Sequence, residues 1–542
     1  MIPDACDVVV IGAGIGGLTS GALLAKAGLR VCVLESAETP GGYLAGFRRG
    51  GFSFDTAIHW LNQCGSRGAV RRVLSIVGPG APETATLHRI RRVRGDSFDH
   101  LLTDEPDTLR DQLASAHPVD ATQITRYFAA AKALAKELDR FADHMRIGAT
   151  MTLYERLAHG AGMANLGLRH LLRYFRWSTE DAFRRLFPAP SLARMYCSEE
   201  RLISCLFPLA WAYNGDYQAA PRGGARELPR FLARAIRAWG GHVVCNARVD
   251  RIHLESGRAR GVSFLVGRGR TRRTLRADYV LAACDSQTVY ERMLPHGSVD
   301  PAWLAKLRDA DIGDSHVTVF LGLDRPAQDL GFDDQLTMIS RDDVTRSDHN
   351  AGDPSRVAIT VLSGSARDPG LAPPGKGTLR LTVSAPMRYG DRWKTREGLV
   401  RGPEYEAFKN AYADVLIDRV ARAFSPGLRQ HIEVREVATP ITHHRYTANR
   451  DGSIVGTKPT PANIRNGVAH YQTPIENVIL SGQWAELGGG VPIAVKAGTN
   501  AALLVLMRER RDAFAHLVSA LDGKRAPDEL DPAWLQALPA AR

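Results

Sequence analysis

The chain has 542 residues, 44% of them hydrophobic and 24% charged, with a formal net charge of +12. That length and balance exclude a disordered or fibrous chain and allow two or three lobes with cores of their own. The basic excess favours an anionic membrane surface as a partner, with an arginine-rich solvated face as the plain alternative and no nucleic acid expected.

Seven cysteines, Cys6, Cys32, Cys64, Cys197, Cys205, Cys245 and Cys284, lie scattered and never as C-x-x-C. They read as reduced core residues of a cytoplasmic protein and argue against a disulfide framework and a structural zinc site. The chain opens directly into a strand-like run, so no secretory segment is expected, and no apolar run reaches the length of about 18 that would suggest a membrane span. Oligomeric state leaves no trace in the pattern.

The first element is a complete strand, turn, helix and strand within Asp7 to Glu35. Val8 to Gly12 is apolar and β-branched, as suits a parallel strand buried on both faces. Gly12, Gly14 and Gly17 follow at G-x-G-x-x-G spacing. The first permits the tight turn, the second lets amides approach a pyrophosphate, and the third lets the helix pack on the strand. Glu35 ends the second strand 18 residues past Gly17, where a carboxylate can accept hydrogen bonds from ribose hydroxyls. Gly41 and Gly42 form a second glycine turn, and Gly50-Gly51 punctuate a short hairpin before Phe52 to Phe54. A flavin nucleotide, longer than the first unit, needs such further close backbone.

Helical periodicity dominates from about 100 to 215, with Ile124, Tyr127, Phe128, Ala131, Leu134, Leu138 and Phe141 at intervals of three and four. The run from 166 to 187 mixes aromatic and aliphatic residues with Arg169, Arg173, Arg176, Arg184 and Arg185. It reads as a basic amphipathic surface for membranes or as a helix packed on its own lobe. Leu202 to Tyr213 is too short to span a membrane and reads as a cavity wall. From Pro221 to Cys284 the α/β style returns: a helix after Pro221-Arg222-Gly223-Gly224, a strand from His242, alternating Val249 and Ile252, a hairpin through Gly257 and a strand Tyr279 to Ala283. A second insertion from about 300 to 470 carries strand-like runs near His316 and Thr378 and a helix near Tyr405 to Phe424. The chain closes on a strand ending at Gly482, a cluster Gly488 to Gly490, and Pro492 at the first position of a helix.

Three blocks agree in order: DVVVIGAGIGGL through PGGYLAGF to GFSFDTAIHWL, PRGG through GGHVVCNARVDRI to ADYVLAACD, and TPIENVILSGQWAELGGGVPIAVKAGTNAA. Together they resemble the FAD-dependent superfamily of phytoene desaturases, carotenoid isomerases, retinol saturases and amine oxidases, and the ending, with Thr439 to Gly456, resembles its carotenoid and retinol branch. The resemblance implies an α/β fold: a Rossmann-type, glutathione-reductase-like FAD-binding domain with an inserted α+β substrate domain. It places Gly12, Gly14 and Gly17 at the pyrophosphate, Glu35 at the adenosine ribose and Gly41-Gly42 near the ribityl phosphate. Val249 would meet adenine through its backbone, with Gly482, Gly490 and Val491 beside the flavin. Tyr43 stands where amine oxidases have Arg, and Ala57 where related enzymes often have Gly.

The expected segments are 1–95, 220–300 and 471–510 for the FAD domain, 96–219 for a helical substrate or lid insertion, 301–470 for a substrate domain, and 511–542 for a surface tail. No metal site is needed, and His443-His444 read as loop or strand polar groups. His59, Trp60, Trp484 and Glu486 lie inside the flavin-contacting blocks and are the candidates for the substrate side of the ring, with cavity packing as their plain alternative. The expected activity is flavin-dependent desaturation, saturation or isomerisation of C=C bonds in an apolar polyene or isoprenoid. The alternatives are an amine oxidase and a non-catalytic prenyl-binding protein of Rab GDP-dissociation-inhibitor type.

Overall fold

Val8, Val9 and Val10 have no exposed surface, and their strand, Ala5–Ile11, lies near the middle of a seven-stranded sheet. The computed structural model describes residues 2–142, 145–166, 174, 176–196, 198–267 and 270–526. Across this sheet run His242–Val244, Val31–Leu34, Ala5–Ile11 and Thr271–Ala282, all parallel. Thr271–Ala282 does two jobs. Its last residues pair in parallel with Val478–Leu480, while its first pair antiparallel with Arg258–Val266, which continues to Ala247–Glu255. Ser256 and Gly257, both at positive φ (49° and 77°), turn that hairpin, as a tight two-residue loop requires. A parallel nucleotide sheet is thus assembled from three separated stretches of chain.

The helices Ile15–Lys26 and Val491–Glu509 cross against it. At their crossing a Cβ on Gly498 would stand 2.2 Å from the Gly16 carbonyl oxygen, so only glycine allows the backbones to meet there. By length and composition Val491–Glu509 could cross a membrane, but 72% of its apolar window is buried inside the molecule, the position of a core helix.

A second seven-stranded sheet runs in the order Ile432–Ala438, His316–Leu323, Gly377–Ser384, Ile359–Leu362, Leu336–Ile339, Arg89–Arg94, Asp99–Thr103. Val317, Val319, Leu321, Leu379, Leu381 and Val383 share one face and pack with Tyr405, Tyr412, Leu416 and Val420 of the helix Pro403–Phe424. Alternation puts His316, Thr318, Phe320, Thr378, Arg380 and Thr382 on the other. Thr360, Thr382 and Thr318 fall in one register row.

Two boundaries move. Arg89–Arg94 pairs in parallel with Leu336–Ile339, so it belongs to the second sheet and not to a first FAD segment reaching 95; its apolar Ile90 and Val93 join the core cluster of the helical lobe together with Leu102 and Met338 of the sheet. The tail expected from 511 begins with a helix, Arg511–Leu521, which buries Ala513, Leu517, Ala520 and Leu521. The helical lobe joins Ala121–Ala142 to Leu202–Tyr213 around an aromatic cluster of Tyr127, Phe183, Phe187 and Tyr196. Arg169 and Arg173 of the basic run lie outside the described residues, and Arg184 is paired with Glu180 and Asp181. The described cysteines are free.

Candidate active site

The glycines of the first turn have three different jobs. Gly12 has φ of 101°, and a Cβ on Gly17 would lie 2.1 Å from the Gly12 carbonyl oxygen. A Cβ on Gly14 would meet nothing within 4 Å. Gly14 therefore borders open space at the N-terminus of Ile15–Lys26, where unpaired amides and the helix dipole favour an anion. Gly41 bridges to Gly14 and its amide donates to the Ala13 carbonyl at 2.8 Å; a Cβ on Gly42, at φ 55°, would lie 3.4 Å from the Gly14 Cα. The two glycine turns thus form one cradle that could hold a pyrophosphate.

Glu35 is 8% exposed. Its Oε2 accepts from the Ala13 amide at 2.7 Å and its Oε1 from the Ala37 amide at 2.8 Å, which fixes the carboxylate beside the cradle. Asn246 and Ala247 donate backbone bonds to Ala37 and Glu35, which brings Val249, two residues on and 5% exposed, to the same corner. Its pairing with Phe264 is followed by a register irregularity.

The closing block meets this cradle from the other side. A Cβ on Gly482 would lie 3.1 Å from the Ala283 backbone, and one on Gly489 2.6 Å from the Val455 Cα. Gly490 caps Val491–Glu509 at φ 100°, with only Pro492 Cδ, at 3.9 Å, near its missing side chain. Ser453 Oγ and Thr457 Oγ1 are buried here without a partner, as polar atoms that face a ligand would be. Open space at Gly14 and Gly490, a fixed ribose-side carboxylate and orphaned hydroxyls fit a flavin dinucleotide.

Several side chains lie deep in the molecule yet retain accessible surface, which marks an internal cleft: Cys284, Tyr43, Asp55, His59, His316 and Arg367. Cys284 follows the strand that faces Gly12, and burial pushes its thiol up to about 12, so it stays protonated. Tyr43 donates to the Ser453 carbonyl at 2.8 Å, and its ring stands 5.9 Å from that of His443. His443 and His444 sit on a short helix, Pro440–Thr447, and not in a loop or strand: Pro440 starts it and a Thr439–Thr442 capping box satisfies its first amides.

The four candidate side chains fall into two groups. His59 and Trp60 are in ring contact at 5.9 Å, and Trp60 packs edge-on to Tyr217 at 5.0 Å. Their segment is clamped to the second sheet: Arg380 donates to the carbonyls of Asp55 (2.8 Å) and Ile58 (2.5 Å), and Arg367 donates to that of His59 at 2.5 Å. Burial first, then Arg380, His316 and Arg367, hold the His59 imidazole well below its ordinary pKa, so it is neutral. Trp484 is 2% exposed and donates to Asn449 Oδ1 at 3.0 Å, with the Arg450 guanidinium 5.3 Å above its ring. Glu486 Oε1 accepts from Tyr471 at 2.5 Å and lies 3.1 Å from Lys496 Nζ. Among the described residues no hydrogen bond or ring contact joins one group to the other.

His316, Arg367, Arg380 and Asn449 had no motif to announce them. The alternation of HVTVFLGL and TLRLTVS carried a faint signal, since an arginine and a histidine interrupt otherwise apolar strands.

The chain is 28% identical over 520 residues to an all-trans-retinol 13,14-reductase from Danio rerio, covering 89% of this chain and 83% of that protein. It is 23% identical to a lycopene-forming phytoene desaturase from Pseudescherichia vulneris, covering 92% of this chain and 98% of the other. Among solved structures, cyclohexylamine oxidase from Brevibacterium oxydans superposes with a TM-score of 0.56 at 16% identity, covering 94% of this chain and all of that one; that likeness shows the shared fold. Residues 15–506 match the model of the flavin containing amine oxidoreductases, and the chain belongs to that family, as an FAD-dependent oxidoreductase.

Proposed function

We propose that this protein adds or removes hydrogen across, or isomerises, C=C bonds of an apolar isoprenoid polyene. What carries the reading is the reach of the likeness to the retinol reductase and the phytoene desaturase. It covers 89% and 92% of the chain, so it includes the second sheet and the helical lobe as well as the nucleotide cradle.

Gly12, Gly14, Gly17, Gly41 and Gly42 hold the pyrophosphate side of FAD in this reading, Glu35 the ribose and Val249 the adenine, while Gly482, Gly490 and Val491 border the ring. Bound FAD supplies hydride transfer. The chain's own residues orient and enclose the polyene. Trp60, backed by the buried Tyr217, offers it an apolar face, and neutral His59 lines its end of the cleft without presenting a fixed charge. Glu486, held by Tyr471 and Lys496, is the group able to carry a proton near the closing block. Its Oε1 accepts from the Tyr471 phenol at 2.5 Å and lies 3.1 Å from the Lys496 ammonium, which holds the carboxylate in one position.

The same reading includes a membrane surface as the route of an apolar substrate. Leu153 (73% exposed), Tyr154 (81%) and Leu157 (66%) project from one end of the helix Leu153–Leu166, next to exposed Arg156. Apolar side chains clustered beside a cation suit an anionic bilayer interface.

The test is anaerobic mixing of the purified yellow protein with polyenes, following the flavin absorbance. Bleaching of the oxidised flavin identifies desaturation, recovery of a chemically reduced flavin identifies saturation, and altered polyene geometry with the flavin spectrum restored identifies isomerisation. No change with any polyene, beside bleaching by a primary amine, would replace this reading with amine oxidation.

A further inference from the structure

The inner face of the second sheet is unexpectedly cationic for a wall that meets a hydrocarbon. The charges that bear most on His59 are Arg380, His316, Arg367 and Arg91. Their compensation is uneven. Arg380, 6% exposed, has the Asp55 carboxylate as its countercharge, and that carboxylate also accepts from the Ala225 amide at 2.9 Å. Arg91 has Glu199 at 3.6 Å. Asp314 bears on His316 but is largely exposed and lies 3.6 Å from Lys458.

Arg367 feels the Asp334 and Asp55 carboxylates but, among the described residues, forms an ion pair with neither. Its Nε donates to the Asp334 carbonyl at 2.7 Å and its Nη1 to that of His59 at 2.5 Å, and neither carbonyl carries a countercharge. The Asp334 carboxylate, 39% exposed, lies nearest Arg89 at 3.9 Å. Arg367 Nη2 is buried without any partner, as is His316 Nδ1. A buried guanidinium N–H left open costs free energy unless an acceptor arrives. His59, beside it, is a neutral ring able to donate or accept.

We propose that the His59 end of the cleft is a subsite for a carboxylate carried on the end of an otherwise apolar polyene, accepted by Arg367 Nη2 and a ring N–H of His316. This rests on the polyene reading and narrows it to amphipathic substrates. Arg367 and Arg380 share the Asp55 carboxylate while Asp334 is drawn toward Arg89, so the two buried guanidiniums keep a positive charge in excess, which a monoanion matches. A diphosphate, with two or more negative charges, would be left under-compensated in so buried a place. The carboxylate would fix the polyene lengthwise, so that which C=C bond lies over the ring is set by its distance from the acid end.

The experiment is binding of all-trans-retinoic acid, its methyl ester and all-trans-retinol to the flavin-loaded protein, read by perturbation of the flavin spectrum and quenching of tryptophan fluorescence. The acid should bind about ten- to hundredfold more tightly than the ester, the range of a charge-assisted hydrogen bond. In Arg367→Gln the acid-to-ester ratio should fall to about twofold or less. Equal binding of all three ligands to the parent protein overturns the subsite and leaves the polyene reading standing, and that comparison needs no variant to fold. Binding of none of the three overturns both. A preference for the acid that persists unchanged in folded Arg367→Gln would overturn the assignment to this arginine.

Discussion

The two sheets are of equal size and opposite construction. In the parallel part of the nucleotide sheet the strands are apolar on both faces, and what it offers a ligand lies at its strand ends: open space beside Gly14, the Glu35 carboxylate held by the Ala13 and Ala37 amides, and Gly490 at a helix start. In the second sheet one face is core, and the other carries His316, Arg380 and a row of threonines toward the cleft. In the proposed reading the cofactor is gripped mainly by backbone, with one carboxylate at Glu35, while the substrate meets side chains that can be exchanged strand by strand. Change can therefore concentrate on one sheet without disturbing the other.

The comparison can be broken most severely at Gly17. A valine there drives a side chain into the Gly12 carbonyl, so Gly17→Val should lose the native fold, at or beyond the upper end of the roughly 1–3 kcal/mol of overpacking; little soluble protein and a melting transition many degrees lower are the readouts. Gly14→Val has the room that Gly17→Val lacks. It should fold with a melting temperature near that of the flavin-free parent and purify colourless, because its side chain occupies the pyrophosphate's place. A fully yellow Gly14→Val protein would remove the cradle from the cofactor.

The second sheet should answer to pH where the first does not. Burial holds His316 and His443 down to about 4. In the unfolded chain they titrate near 6.5, so between about 6.5 and 4 the unfolded state binds more protons and native stability falls as pH falls. Each should contribute on the order of 1–3 kcal/mol to that loss. Denaturant unfolding at pH 7 and pH 5 checks it: His316→Gln should flatten the difference, and an equal slope in parent and variant would show the imidazole is not enclosed. The smallest effect belongs to the helical lobe. Leu153→Ser with Leu157→Ser should reduce flotation with anionic vesicles about five- to tenfold, given some 1.5–3 kcal/mol for full burial of such a side chain and only shallow insertion here, and leave the flavin spectrum unchanged.

What could be read in the one-dimensional pattern follows the same division. The cradle was legible because its parts are local: strand, glycines, helix and carboxylate fall within 29 residues, from Asp7 to Glu35, and each glycine has a steric reason to be there. The closing strand and Pro492 were legible for like reasons, and so was the helix Pro403–Phe424. The inner face of the second sheet was not. Arg380 and His59 are separated by more than 300 residues, and they meet through a strand register that no local signal encodes. The place of Arg89–Arg94 in the second sheet has no local signal, because its parallel partner lies some 250 residues later. The helical setting of His443 and His444 was not legible because a proline start and a capping box at Thr439, and no apolar periodicity, define their short helix.

The glycine crossing between Ile15–Lys26 and Val491–Glu509 also bears on how the protein comes into being. Gly16 is made near the start of synthesis and Gly498 near its end, so the surface that receives Ile15–Lys26 does not exist until roughly 480 residues have followed. At about 5–20 residues per second that is an interval of some half a minute to a minute and a half. Throughout it the apolar first unit must wait, either held by a chaperone or loosely collapsed on its own neighbours. Flavin capture is then a late event, and a chain cut short before Val491–Glu509 would be handed to the degradation machinery with its nucleotide motif intact and useless.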